Sequence, residues 1–341
     1  MRATGLRRYT GIMVQHMLSI LNANKTNAGI VAGCLIILIE FLLNPYLSNK
    51  YFSHEVDEML HYLEQPKKDQ SVVAIGDSVG NGIFGEWNFN NGNVASLACN
   101  QATETAGQYF FLRRFLKNNK APGAVISCDR TPLSGNLEQS LTENYIQRCF
   151  TDWSEILELM IVKTDPVFTI KMVAYKFFST FKYRLHLQRK IVGFTNSDIY
   201  SGATQPTKSA KKSYSLIEVV SKFKEHHRTE SISQYFFKKI LVELEKIHVP
   251  LYYLPSPSRL DTNDNHLLVQ SSIKHLNNLK KEFANLHILE DHYQRLPGKY
   301  FRDEVHLNQA GLENYRPLIQ PTIERILLES TRRQADNWKS D

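Results

Sequence analysis

Three side chains far apart in the chain are of the types that together move a proton: Ser78, Asp303 and His306. Ser78 closes "SVVAIGDS", an apolar run that stops at Gly76-Asp77-Ser78, while Asp303 and His306 stand three apart in "FRDEVHLNQAGLENY". A serine hydroxyl is a weak nucleophile, so it needs a base within hydrogen-bond reach, and that base needs an orienting acid. Histidine supplies such a base near neutral pH, and a carboxylate fixes its tautomer. Alone, each fragment is ordinary: Gly-Asp-Ser makes turns, and Asp-x-x-His is a helix cap with a surface histidine. The two together, after the first and the last strand of one α/β unit, point to acyl chemistry on Ser78.

The surrounding pattern supplies the elements that must position them. Helical periodicity from Tyr51 to about Leu63 leads into the strand "SVVAI"; then come the strand "NVASLA", the helix "QYFFLRRFLKNN" and the strand "GAVIS". The grammar returns with the helix "SISQYFFKKILVELEKI", the strand "HVPLYYL" closed by Pro255 and Pro257, the helix "SSIKHLNNLKKEFANL" and the short strand "HILE". The closing segment from Asn308 reads as a helix interrupted at Pro317 or Pro321. This alternation predicts a parallel α/β sheet, with Ser78 beyond the carboxyl end of a strand. A helix beginning after Ser78 would bring free N–H groups to a developing oxyanion. The Asp303–His306 spacing predicts the start of a helix, with both side chains on one side of the turn.

On these two blocks the chain resembles the SGNH, or GDSL, hydrolase superfamily. The matching residues are Gly76-Asp77-Ser78 at the first strand, and Asp303-Glu304-Val305-His306 with Leu307, Asn308, Gln309, Ala310 and Gly311 before the final helix. The likeness covers about residues 70–130 and 235–325. It implies a three-layer, flavodoxin-like parallel sheet flanked by helices, with the first strand between the second and third. It also implies a triad of Ser78 as nucleophile, His306 as general base and then acid, and Asp303 as its orienting group, with no cofactor and no metal. "GDSVG" satisfies the G-x-S-x-G nucleophile elbow as well, but a serine on the first strand with D-x-x-H at the end favours SGNH. The strand order leaves Cys99 and Cys128 poorly placed for a disulfide.

The family's two middle blocks are not intact: the loops read "CNQATETAGQ" and "CDRTPLSGN". The expected oxyanion hole is therefore the Ser78 N–H together with Asn100, Gln101 or a nearby backbone N–H, with Asn136 as a further candidate. Anchored members with degenerate middle blocks, similar to the D-alanyl-lipoteichoic acid transfer proteins and the peptidoglycan O-acetyltransferases, acylate cell-surface polymers. That resemblance implies an acyl donor, a glycan acceptor and a membrane-bound O-acyltransferase partner. A carbohydrate or lipid esterase and a non-catalytic scaffold of an envelope assembly are the alternative readings.

The rest of the 341-residue chain bounds these expectations. A net charge of +7 suits an anionic partner, yet no compact basic motif argues for nucleic acid. The four cysteines lack the spacing of a zinc site or a disulfide framework. Residues 28–47 are apolar enough to cross a bilayer, interrupted by Glu40, and follow Arg2, Arg7, Arg8 and Lys25 without an acid. The expectation is a single-pass anchor in the bacterial cytoplasmic membrane. Residues 1–27 would then lie inside, an extracytoplasmic domain would span 48–330, and 331–341 would form a polar tail. A helical insertion, about 137–214, interleaves basic and aromatic residues, which fits either an anionic bilayer surface or the wet face of a packing helix.

Overall fold

The computed structural model describes Leu35, Leu38 and residues 55–65, 70–85, 87, 93–135, 137, 140–150, 152–163, 165–178 and 231–337. The chain divides into two compact units, residues 1–53 with 170–199 and residues 54–169 with 200–341. In the first, Leu35 and Leu38 are helical and 170–177 complete a helix. The expected anchor and most of the basic aromatic segment lie outside the described residues; among those described, no helix is long and apolar enough to cross a membrane.

The second unit is a parallel sheet flanked by helices. After α1 (Glu55–Glu64), β1 (Gln70–Gly76) leads directly into α2 (Ser78–Phe84), followed by β2 (Asn93–Ser96), α3 (Glu104–Asn118) and β3 (Ala124–Cys128). Three helices follow, α4 (Ser140–Cys149), α5 (Trp153–Val162) and α6 (Pro166–Phe177). The sheet resumes with α7 (Ile232–Lys246), β4 (Leu251–Tyr253), β5 (Ser258–Arg259), α8 (Asp264–Leu279), β6 (Leu286–Ile288), β7 (Arg295–Leu296) and α9 (Gln309–Asn337). The five-stranded sheet has the order β2-β1-β3-β4-β6, all pairs parallel, and β5 and β7 form a separate parallel pair.

Val72, Val73, Ala74 and Ile75 are all fully buried, because helices cover both faces of the central strand. Val72, Ala74, Ala124 and Ile126 pack with α2 residues Val79, Ile83 and Phe84 and with α9 residues Tyr315, Ile319, Ile323, Ile326 and Leu327. Helix α3 also contacts β1, and α7 packs on α3 through Phe110, Tyr109 and Phe236. The long insertion leaves and rejoins this scaffold at one point. Glu104 accepts hydrogen bonds from Leu137 N (3.2 Å) and Ser233 Oγ (3.3 Å), and Ser233 N donates to Gly135 O (2.9 Å).

The final helix departs from expectation: it runs unbroken through Pro317 and Pro321. Each proline removes one i to i−4 bond, from the carbonyls of Glu313 and Pro317. Glu313, Pro317 and Pro321 are all exposed, so water can satisfy those carbonyls while the opposite face stays buried on the sheet.

Cys128 ends β3 and Cys99 lies three residues beyond β2, its N–H donating to Gly76 O (3.2 Å), so the two flank the end of β1 about two strand spacings apart, roughly 9–10 Å. Both are free and buried, as is Cys149.

At the carboxyl edge, Gly76 has φ +155°, and a Cβ there would lie 2.0 Å from Cys128 O. Gly76→Ala should therefore force β1 and β3 apart and lower unfolding free energy by about 3 kcal/mol or more. Gly82→Ala, in open space within α2, should raise it by about 0.5–1 kcal/mol. Urea denaturation of the two variants checks the contrast; equal effects would contradict it.

Candidate active site

Register places Ser78. Gly76 pairs with Cys128 across β1 and β3, so both strands end at the same level and Asp77 begins the turn there. Asp77 is the N-cap of α2: its Oδ1 accepts from Val79 N (2.9 Å) and Gly80 N (3.3 Å), which fixes Ser78 as the first helical residue. At the other end of α2, Arg316 donates from Nε and Nη2 to Ile83 O (3.1 and 2.9 Å) and from Nη2 to Gly82 O (3.2 Å). A carboxylate at the helix start and a guanidinium at its end both complement the dipole.

Asp303 and His306 reach Ser78 from a turn rather than from a helix start. Phe301 and Leu307 form an antiparallel bridge, Arg302 N donates to His306 O (2.9 Å), and α9 begins only at Gln309. The turn closes on its own aspartate, whose Oδ1 accepts from Val305 N (2.9 Å) and His306 N (2.8 Å). This accounts for the one-sidedness of the pair without helical geometry.

The resulting chain is continuous. Ser78 Oγ lies 2.8 Å from His306 Nε2, and His306 Nδ1 lies 2.8 Å from Asp303 Oδ2 and 3.0 Å from its Oδ1. An ionised carboxylate only accepts, so Nδ1 carries the proton and Nε2 is the bare nitrogen that accepts from the serine hydroxyl. Burial raises the Asp303 pKa, but the bonds from His306 N–H, Val305 N–H and the imidazole outweigh it and hold the carboxyl below its ordinary value. The imidazole and the Asp303 carboxylate remain 21% and 34% exposed, so a substrate can approach the hydroxyl from that side.

The expected oxyanion residues separate. Val79 and Gly80 N–H are already spent on Asp77, so the start of α2 does not offer the row of free donors expected from sequence. Among the described residues, no acceptor meets the Ser78 N–H, which leaves it available. Asn100 is committed elsewhere: its Oδ1 caps a short 3₁₀ turn by accepting from Ala102 N (2.9 Å), and its side chain bonds Glu55. The Gln101 side chain is exposed and accepts from Arg130. Asn136 lies outside the described residues.

Reading "CDRTPLSGN" only as a missing asparagine block overlooked Asp129 and Arg130. Asp129 is buried; its Oδ1 accepts from Thr131 N (2.8 Å) and its Oδ2 from Gln108 Nε2 (2.6 Å). Burial, then the neighbouring Asp77 charge, push its pKa up to about 7 against the bonds from Thr131 and Gln108 and the charge of Arg130. Their signal in the sequence was positional: two charged residues directly after β3, the strand paired with β1. Among the described residues, no cluster of three or more His, Cys, Asp or Glu is arranged to hold a metal ion.

No family model and no curated protein matches this chain. Among solved structures it is similar to a Streptococcus pneumonia chain provisionally described as a platelet activating factor. The identity is 8% and the TM-score 0.37, over 88% of this chain and 99% of that one. That similarity is too remote to bear on fold or function.

Because the folded state holds the Asp129 proton more tightly than the unfolded chain, raising the pH towards 7 should remove stability. The limiting slope is about 1.4 kcal/mol per pH unit, and the loss should level off above 7. Asp129→Asn should lack this slope, since turning the Gln108 carboxamide brings its unpartnered Oε1 to the new amide. Urea midpoints of both proteins from pH 5 to 8 test this; parallel profiles would refute the assignment.

Proposed function

We propose that this chain is an SGNH-type serine enzyme that transfers an acyl group through an acyl-Ser78 intermediate to a hydroxyl of a cell-surface or exported glycan. The observation that carries the reading is the hydrogen-bonded run from Ser78 Oγ through His306 to Asp303 at the carboxyl edge of the sheet. The strand order, with β1 between β2 and β3, supports it as well.

In this mechanism Ser78 Oγ attacks the donor carbonyl while His306 Nε2 takes its proton. Asp303 stabilises the resulting imidazolium through Nδ1–H. Collapse of the tetrahedral intermediate breaks the bond to the donor's leaving oxygen or sulfur, which receives the proton from Nε2. The acceptor hydroxyl then gives its proton to Nε2 and attacks the acyl-serine, and Ser78 recovers its hydrogen as the new ester departs. The Ser78 N–H, which no acceptor among the described residues meets, is the donor left to face the charge on the carbonyl oxygen.

The partly open imidazole edge also admits water, which favours ester hydrolysis as the second reading when no acceptor is bound. The apolar segment 28–47 supports anchorage with the enzyme domain outside, beside a membrane-bound O-acyltransferase that delivers the acyl group.

A fluorophosphonate should label the intact protein at Ser78. Ser78→Ala should abolish labelling, and His306→Ala should slow it by about 10³-fold or more. With an activated acyl ester and a polysaccharide, mass analysis should find acylated glycan. Labelling that survives Ser78→Ala, or a wild-type protein that never reacts, would refute the reading.

A further inference from the structure

Two guanidinium groups stand on the acid's side of the triad, Arg302 with its Nε 3.7 Å from Asp303 Oδ2 and Arg259 donating from Nη1 to Asp303 O (3.3 Å), and a third, Arg130, stands on the serine's side. Arg130 and Ser78 occupy equivalent positions, two residues past the paired Cys128 and Gly76, on neighbouring parallel strands. The Arg130 side chain is 13% exposed, and its Nε lies 3.5 Å from Asp77 Oδ2. Its Nη1 donates to Asn265 Oδ1 (3.3 Å), its Nη2 donates to Gln101 Oε1, and its own carbonyl accepts from Ser272 Oγ (3.1 Å). Asn265 in turn donates from Nδ2 to Glu304 O (2.9 Å), inside the turn that holds Asp303 and His306.

One planar group thus touches the nucleophile's turn, the loop after β2 and the first turn of α8, and through Asn265 it reaches the histidine turn. Backbone bonds from Asp77 N to Cys128 O (3.3 Å) and from Cys99 N to Gly76 O (3.2 Å) carry the strand ladders just to this level, and the Arg130 contacts join the loops beyond it. We propose that Arg130 is a positioning residue that sets the distance and direction between Ser78 and His306. The proposal rests on Ser78 being the nucleophile.

Three features make this more than a surface ion pair. First, Asp77 is completely buried, and its Oδ2 has no hydrogen-bond partner of its own, so Arg130 is the cation that faces it. Asp77 Oδ1 fixes Ser78 through the helix cap, so a carboxylate that turns moves the serine with it. Second, arginine only donates, so Gln101 and Asn265 must each present an oxygen to it. That choice aims the Asn265 amide at Glu304 O and turns the Gln101 amide nitrogen away from the guanidinium. Third, lysine is a point charge and cannot hold three acceptors in one plane. The apolar packing of α2 through Val79, Ile83 and Phe84 does not involve Arg130, so its loss disturbs alignment before it disturbs the fold.

The test uses the full chain with Arg130→Lys, Arg130→Gln and Arg130→Ala, read in two ways. Fluorophosphonate labelling of Ser78 is measured against probe concentration. Arg130→Gln should lower the limiting rate by about 10²-fold with the half-saturating concentration little changed, the size expected of a small misalignment. Lysine should not restore the rate, whereas guanidinium ion at non-denaturing concentration should partly restore Arg130→Ala. A wild-type rate in Arg130→Gln would overturn the proposal, as would a loss that follows unfolding in a parallel thermal melt and is not restored by guanidinium.

The second readout needs no reactivity: the imidazole ¹⁵N resonances of His306 report the Ser78 bond directly. If the wild-type protein does not label at all, the acyl-transfer reading fails. The resonance then decides the positioning role separately, a displaced signal in folded Arg130→Gln supporting it and an unchanged one overturning it.

Discussion

Asp77 stands between the glycine that ends β1 and the serine that begins α2, with no exposed surface and a carboxylate that water cannot reach. A buried charge is tolerated only when hydrogen bonds and countercharge replace its hydration. Here two backbone N–H groups of α2 meet one oxygen and Arg130 faces the other. Everything at the carboxyl edge follows from that demand. The cap sets the direction of α2, the direction of α2 sets Ser78, and the guanidinium gathers the loops that surround it.

The nearby Asp129 extends the same constraint. Asp77 and Asp129 each follow directly on the paired strand ends Gly76 and Cys128, and burial first, then the Asp77 charge, raises the Asp129 pKa into the neutral range. The Asp129 carboxyl bonds Gln108 and Thr131 rather than His306 or Asp303. Charge in the site is therefore separated, with an ionised Asp303 held low by backbone donors on the open side and a proton-binding acid on the closed side. The Ser78 hydroxyl is bonded to the imidazole that Asp303 holds.

Much of this was legible in the chain. Continuous apolar runs marked β1 and β3 because strands covered on both faces need no polar alternation, and amphipathic periodicity marked α3, α7 and the last helix. The strands β5 and β7 were not legible, since two residues each carry no period. Pro317 and Pro321 misled, because a local rule cannot report that both prolines would point to solvent while Tyr315, Ile319 and Ile323 are drawn onto the sheet. The Asp303–His306 pair was found for its spacing, but that spacing is shared by a helix start and by an aspartate turn, and only the backbone distinguishes them.

By itself the sequence determined which groups were available: a hydroxyl after a buried strand, an imidazole three residues from a carboxyl, and charges at Asp129 and Arg130. Composition and short-range pattern govern such features, because they depend on neighbours within a turn or a strand. Tertiary structure decided which of them meet. The 228 positions between Ser78 and His306 are closed to 2.8 Å only by strand order and register. The same packing spent Asn100 on a local cap and gave Arg130 its place, because hydrogen-bond donors are assigned by three-dimensional proximity, which no local pattern encodes.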